Sequence, residues 1–179
     1  TGIAIADVDS DGRHDIYFVT QKGENQLWRN TGGGKFENIT TPAIALGDRI
    51  SVSASFADID NDGDPDLFVT TVRGGNAMFE NTGGGKFRDI SEASGLDYSG
   101  HSSGAVFFDY DRDGLLDLFV CNVGVYTTDE TTPDGNYRGF EISFFNHLEE
   151  KYDERSLLYR NLGDGRFEEV SEAVGLIDK

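Results

Sequence analysis

Ala57-Asp58-Ile59-Asp60-Asn61-Asp62-Gly63-Asp64-Pro65-Asp66-Leu67-Phe68-Val69 decides the reading of this chain, because it is one of three copies. Asp58, Asp60, Asp62 and Asp66 stand at positions 1, 3, 5 and 9 of a nonapeptide with glycine at position 6. The pattern recurs as Asp7, Asp9, Asp11, Gly12, Asp15 and as Asp109, Asp111, Asp113, Gly114, Asp117, at a spacing of 51 residues each time. Four carboxylates within nine residues repel one another unless a cation sits among them. Hard oxygen donors on a flexible loop suit calcium, which takes about 6–8 oxygens. Glycine at position 6 allows the turn that returns position 9 to the metal. Each nonapeptide reads as one calcium loop, and the chain as a holder of about three structural Ca²⁺ ions.

The repeat extends past these loops. Asn30-Thr31-Gly32-Gly33-Gly34-Lys35-Phe36 returns letter for letter as Asn81 to Phe87, and Asn161-Leu162-Gly163-Asp164-Gly165-Arg166-Phe167 is a third version. That third version arrives 29 residues late, so repeat three carries an insertion, about 122–155. Each unit reads as four short strands, rich in aromatic and β-branched residues and bounded by Gly and Asp. In repeat two these are Ser51 to Ala57, Asp66 to Thr70, Ala77 to Glu80 and Phe87 to Ile90. No stretch holds a long 3.6-residue period, so helix should be scarce. Four antiparallel strands per repeat of this length make the blade of a β-propeller, an all-β fold. The expected boundaries are blade 1 over 1–41, blade 2 over 46–91 and blade 3 over 100–171. A parallel β-helix has a far shorter repeat. An EF-hand needs a glutamate at position 12 between helices, where this chain has Phe18, Val69 and Val120.

The unit resembles the FG-GAP/VCBS repeat of integrin-α-like propellers, and most closely the cartilage-acidic-protein-like (ASPIC/UnbV) branch. That resemblance implies a loop between the first two strands of each blade, with the carbonyl of position 7 completing the metal shell. Those carbonyls belong to Arg13, Asp64 and Leu115. It also implies a ring of about seven blades, and this chain supplies three. Two blade flanks are then left open, to be covered by further blades or by self-association through the open edges.

A formal charge of −18 argues against nucleic acid and anionic membranes as partners, both being polyanions. Aromatic residues at 12% argue against disorder despite that charge. Cys121 stands alone, so no disulfide framework exists, and its place after Val120 suggests a buried thiol. No membrane-spanning run or signal peptide is legible, although Thr1 begins almost in mid-strand. Weak calcium sites of extracellular-module type fill only at millimolar calcium. The expected location is therefore extracellular, periplasmic or at the cell surface.

Several motifs compete with this reading and yield to it. Gly100-His101-Ser102-Ser103-Gly104 matches the nucleophile elbow G-x-S-x-G, but a turn precedes it and a blade strand follows, with no helix. Lys35 and Lys86 follow glycines as in a phosphate loop, yet Phe comes next instead of Ser or Thr. His14 lies in a calcium loop, and His101 and His147 are weak candidates for sharing a metal. Asn38-Ile39-Thr40 is a glycosylation sequon. Clustered acids already have the calcium role, and nothing identifies catalysis.

In a four-stranded blade the turns alternate between two rims. The acidic loops and the glycine hairpins share one rim, and the insertion belongs to the other. Its Tyr126, Tyr137, Arg138, Phe140, Phe144, Phe145, His147 and Tyr152 suit either a lid on its own blade, a plug of the central channel, or a binding surface. The sequence thus points to a non-enzymatic module for adhesion or protein recognition, with a protein or glycan ligand on the face opposite the calcium loops. A lectin-like carbohydrate-binding propeller is the alternative, and a part of a polysaccharide-active enzyme the third reading.

Overall fold

The computed structural model describes residues 2–139 and 154–176. Blade 1 comprises β1 (Gly2–Ala6), β2 (Asp15–Val19), β3 (Gln26–Gly32) and β4 (Lys35–Asn38) in that spatial order. Blade 2 repeats it with β5 (Ile50–Ala57), β6 (Asp66–Val72), β7 (Ala77–Asn81) and β8 (Phe87–Asp89). In blade 3, β9 (Ser102–Phe108) and β10 (Asp117–Asn122) are followed by a hairpin of β11 (Thr127–Thr131) and β12 (Tyr137–Gly139). The blade then resumes with β13 (Leu157–Asn161) and β14 (Phe167–Glu169), in the order β14-β13-β10-β9. All neighbouring strands pair antiparallel. The blades connect through one-turn helices, α1 (Pro42–Ala45) and α2 (Ser91–Ser94).

Alternation along each strand sends successive side chains to opposite faces, and each face meets a different blade. Tyr17, Val19 and Leu27 of blade 1 pack with Leu67, Val69, Ala77 and Phe79 of blade 2. Phe68 and Met78, on the other face of blade 2, pack with Leu118, Val120 and Tyr159 of blade 3. β6 is therefore buried at all seven residues, while β2 and β10 are buried mainly on one side. That arrangement stacks blades face to face as a propeller does. The inner strands keep close company, with Ser55 Oγ donating to the Ala105 carbonyl at 3.0 Å.

The two outer flanks carry apolar surface that is exposed among the described residues. Ile3, Ile5 and Phe18 are exposed on blade 1, and Val106 and Phe108 on blade 3. Cys121 is half-buried rather than buried. Leu118 and Val120 point into the junction with blade 2, so Cys121 falls on the face turned away from it.

Candidate metal centre

The three acidic loops link the first two strands of each blade and fold alike. Position 6 has φ of 84° at Gly12, 94° at Gly63 and 91° at Gly114, the left-handed region where glycine is at ease. Position 4 is also left-handed, at Ser10, Asn61 and Arg112, a constraint that only Asn61 hints at in sequence. The position 1 carboxylate closes each loop by accepting the amides of positions 5 and 6. At Asp7 these bonds are 3.0 and 2.7 Å, and at Asp58 they are 3.1 and 3.0 Å. The amides of Arg13, Asp64 and Leu115 donate to the position 5 aspartates at 2.8–2.9 Å.

Position 9 does more than face the loop. Asp15, Asp66 and Asp117 are buried, and each carboxylate holds two backbone N–H groups. One comes from position 2 of its own loop (Val8, Ile59, Tyr110) and one from the asparagine opening the glycine hairpin (Asn30, Asn81, Asn161), all at 2.7–3.0 Å. The hairpin asparagines then reach across the junction. Asn81 Nδ2 donates to the Val8 carbonyl of blade 1 at 2.9 Å, and Asn161 Nδ2 to the Ile59 carbonyl of blade 2 at 2.8 Å.

Three carboxylates in each loop offer oxygens within 4.8 Å of one another: Asp7, Asp9 and Asp15; Asp58, Asp60 and Asp62; Asp109, Asp111 and Asp117. Asp11, Asp66 and Asp113 complete the sequence pattern but stand outside these trios. Asp9 Oδ1 is buried without a hydrogen-bond partner, a costly state for a carboxylate oxygen that a cation would relieve. Without a cation, burial raises the carboxyls of Asp9, Asp60 and Asp117, with neighbouring aspartates adding to it. Asp66 is pushed up to about 7 by burial, against the two N–H groups that stabilise its anion. All-oxygen donors in this setting fit Ca²⁺ better than a transition metal.

Charged neighbours differ from loop to loop. Arg13 pairs with Asp11, and Arg29 Nη1 lies 3.9 Å from Asp9 Oδ2 while Nη2 binds Glu37. Glu80, at the matching place in blade 2, pairs with Arg88 and adds to the forces that raise Asp60, after burial and its fellow aspartates. Arg160 in blade 3 pairs with Glu168 at 2.8 Å.

The opposite face carries the insertion, whose described part reaches across its neighbours instead of lying on its own blade. Arg73, in the second turn of blade 2, pairs with Asp129, donates to the Thr127 carbonyl and sits 5.3 Å from the Tyr137 ring centre. Lys22 of blade 1 reaches Asp134 at 3.1 Å. Buried His101 anchors the hairpin base, with Nδ1 3.0 Å from Glu154 Oε1 and Nε2 2.7 Å from Thr127 Oγ1. Burial pushes the Glu154 carboxyl up, and its bonds to the His101 ring and amide more than reverse this, holding it below its usual value. Phe140, Phe144, Phe145, His147 and Tyr152 lie outside the described residues. Beside the hairpin is a cavity of about 620 Å³ lined by Arg49, Arg73, Asn76, Asp89, Glu92 and Asp97, among others.

The competing motifs resolve structurally. Ser102 opens β9, accepting from Asn76 Nδ2 and donating to Asn122 Oδ1, so it sits in no nucleophile elbow. Asn38 and Thr40 are joined by an Asx turn, the Thr40 amide to Asn38 Oδ1 at 2.9 Å, and Thr40 Oγ1 accepts the Leu27 amide. Asp89 with Ser91, and Glu169 with Ser171, make the same two bonds. The sequon residues thus serve a strand exit common to all three blades.

A family model described as FG-GAP-like repeat matches residues 7–69 and again 58–120, each match running from one acidic loop into the strand beyond the next. The chain belongs to the FG-GAP-like repeat family. Among curated relatives of this FG-GAP-like chain, Cartilage acidic protein 1 of Homo sapiens is 26% identical over 130 residues. The Xenopus tropicalis protein of that name is 30% identical over 131 residues. Each match covers 66% of this chain, which spans 20% of the relative's length. Among solved structures, an Agrocybe aegerita lectin described by its recognition of non-reducing terminal N-acetylglucosamine aligns with a TM-score of 0.41 and 19% identity. That alignment covers 92% of this chain and 49% of the lectin.

Proposed function

We propose that this chain is a calcium-stabilised propeller segment serving recognition or adhesion outside the cell, with no catalytic step. The observation that carries the calcium reading is the threefold trio of carboxylates, one with a buried, unpartnered oxygen at Asp9. The trios Asp7, Asp9, Asp15, then Asp58, Asp60, Asp62, then Asp109, Asp111, Asp117 would hold the ions, assisted by Asp11, Asp66, Asp113 and the carbonyls of Arg13, Asp64 and Leu115. Bound calcium supplies charge neutralisation and loop order, and the aspartates keep the loop closed around it. Among the described residues no helix is long and apolar enough to cross a membrane. The open flanks of blades 1 and 3 suit contact with another blade of the same kind, in this chain or a second copy.

Titrating a chelator into the protein while following its melting tests the calcium reading. A site filled at 10–100 times Kd adds roughly 1.4–2.7 kcal/mol to stability, so stripping about three sites should lower Tm by several degrees. An unchanged melting curve would refute it. A glycan ligand is the second reading; the 620 Å³ cavity offers it hydrogen-bonding side chains such as Arg49, Asn76, Asp89 and Asp97, with no aromatic ring among its described lining. Binding on a glycan array supports it, while pull-down of a protein with no sugar binding supports the first.

A further inference from the structure

The three loops agree in their aspartates and differ in the charges around them. Loop 1 has Arg13 at position 7, and Arg29 from β3 stands near Asp9. Loop 3 has Arg112 at position 4, with Arg160 on its third strand. Loop 2 instead has Asp64 at position 7 and Glu80 on its third strand. The strand positions are equivalent by register, since Arg29, Glu80 and Arg160 lie opposite Glu37, Arg88 and Glu168. One cross-strand ion pair is therefore built three times, with its polarity reversed in the middle blade. Counting four aspartates with the two named neighbours, the formal charge is −2 around loops 1 and 3 and −6 around loop 2; Asp64 also accepts from Ser10 Oγ of loop 1 at 3.2 Å, which brings loop 1 to −3.

We propose that loop 2 is the high-affinity cation site of the three, and that the charged residue of each blade's third strand, Arg29, Glu80 or Arg160, sets the ranking. This rests on the calcium reading above. The affinity of an all-oxygen calcium site follows the charge of its ligands, here equal in the three loops, and charges just outside the shell act on the ion through their field. At separations near one Debye length, about 8 Å at physiological salt, each nearby charge alters divalent binding by a few-fold. Arg29 also competes directly, because it already neutralises part of the Asp9 carboxylate that an ion would need. A difference of three to four charges places loop 2 about tenfold or more ahead of its neighbours.

Calorimetric titration of Ca²⁺ into the chelator-stripped chain should resolve one tight class and two weaker ones. Asp60→Asn should remove the tight class. The double swap Glu80→Arg with Arg88→Glu keeps the ion pair and the blade, removes two units of negative charge from beside loop 2, and should bring the tight class part-way toward the others. The reverse swap, Arg29→Glu with Glu37→Arg, adds two units of negative charge beside loop 1 and should tighten its site part-way toward that of loop 2. Three equal sites, indifferent to both swaps, would overturn this ranking and leave the calcium reading standing. Loss of a weak class in Asp60→Asn would overturn it as well. No uptake of Ca²⁺ at any loop would overturn both.

Discussion

Asn81→Ala and Asn30→Ala alter the same residue of the same motif, yet they should differ severalfold in cost. Asn81 is fully buried, and its side chain donates to the Val8 carbonyl at 2.9 Å and the Pro65 carbonyl at 3.3 Å while accepting the Gly83 amide at 3.1 Å. Alanine leaves all three groups short of a partner. A buried group left unsatisfied costs about 1–3 kcal/mol, and one that can turn to water costs far less. The Val8 carbonyl sits in the blade junction, whereas the other two lie nearer the surface. The expected total is about 3 kcal/mol. Asn30 makes the local bonds, to the His14 carbonyl at 3.2 Å and from the Gly32 amide at 3.0 Å, and among the described residues its side-chain amide reaches no carbonyl across a junction. Its loss should cost about 1 kcal/mol. For a domain of this size these figures correspond to falls in Tm of about 6–12 °C and about 2–4 °C. Urea unfolding in saturating calcium checks the pair, with the slope confirming that both variants unfold as wild type does. Equal losses within about 0.5 kcal/mol would show that the cross-junction bond is not what Asn81 contributes.

Gly63→Val should destabilise by about 1–2 kcal/mol through its φ of 94° alone, because an added Cβ meets no atom within 4 Å; a thermal melt at wild-type temperature would refute this. In calcium-free buffer the Asp66 carboxyl, at about 7, lies above its unfolded value of 3.8, so the folded state holds the proton more tightly. Its contribution is fully present below pH 4 and lost as pH rises from 4 through 7, so Asp66→Asn should flatten that part of the stability profile of the stripped chain.

Much of this architecture was legible in the sequence, for identifiable reasons. Asp15, Asp66 and Asp117 each open the second strand of a blade, so the acidic spacing and the strand starts confirm one another. The glycine hairpins fixed the last two strands, since a tight turn leaves little freedom in register. The junction bonds stayed hidden, because Asn30, Asn81 and Asn161 look identical and only packing gives two of them a carbonyl across the interface. The β11–β12 hairpin had a readable signal in Pro133-Asp134-Gly135, a turn sequence within a stretch treated as one insertion. Its course across blades 2 and 1 depends on Arg73 and Lys22, distant pairings that no local pattern announces. The charge reversal at Glu80 became meaningful only once the strand registers placed it opposite Arg88.

Residue 2 of loops 1 and 2 uses both sides of its peptide links. The Ile59 amide is held by Asp66 within blade 2, and the Ile59 carbonyl is held by Asn161, whose own amide is tied to Asp117 in blade 3. One step back, the Val8 carbonyl is held by Asn81, whose amide is tied to Asp66. The rim of the acidic loops is consequently a belt threaded in series from loop 1 to loop 3, passing through buried aspartates and amides. Slack introduced at any buckle is handed to the next one along before it can reach solvent.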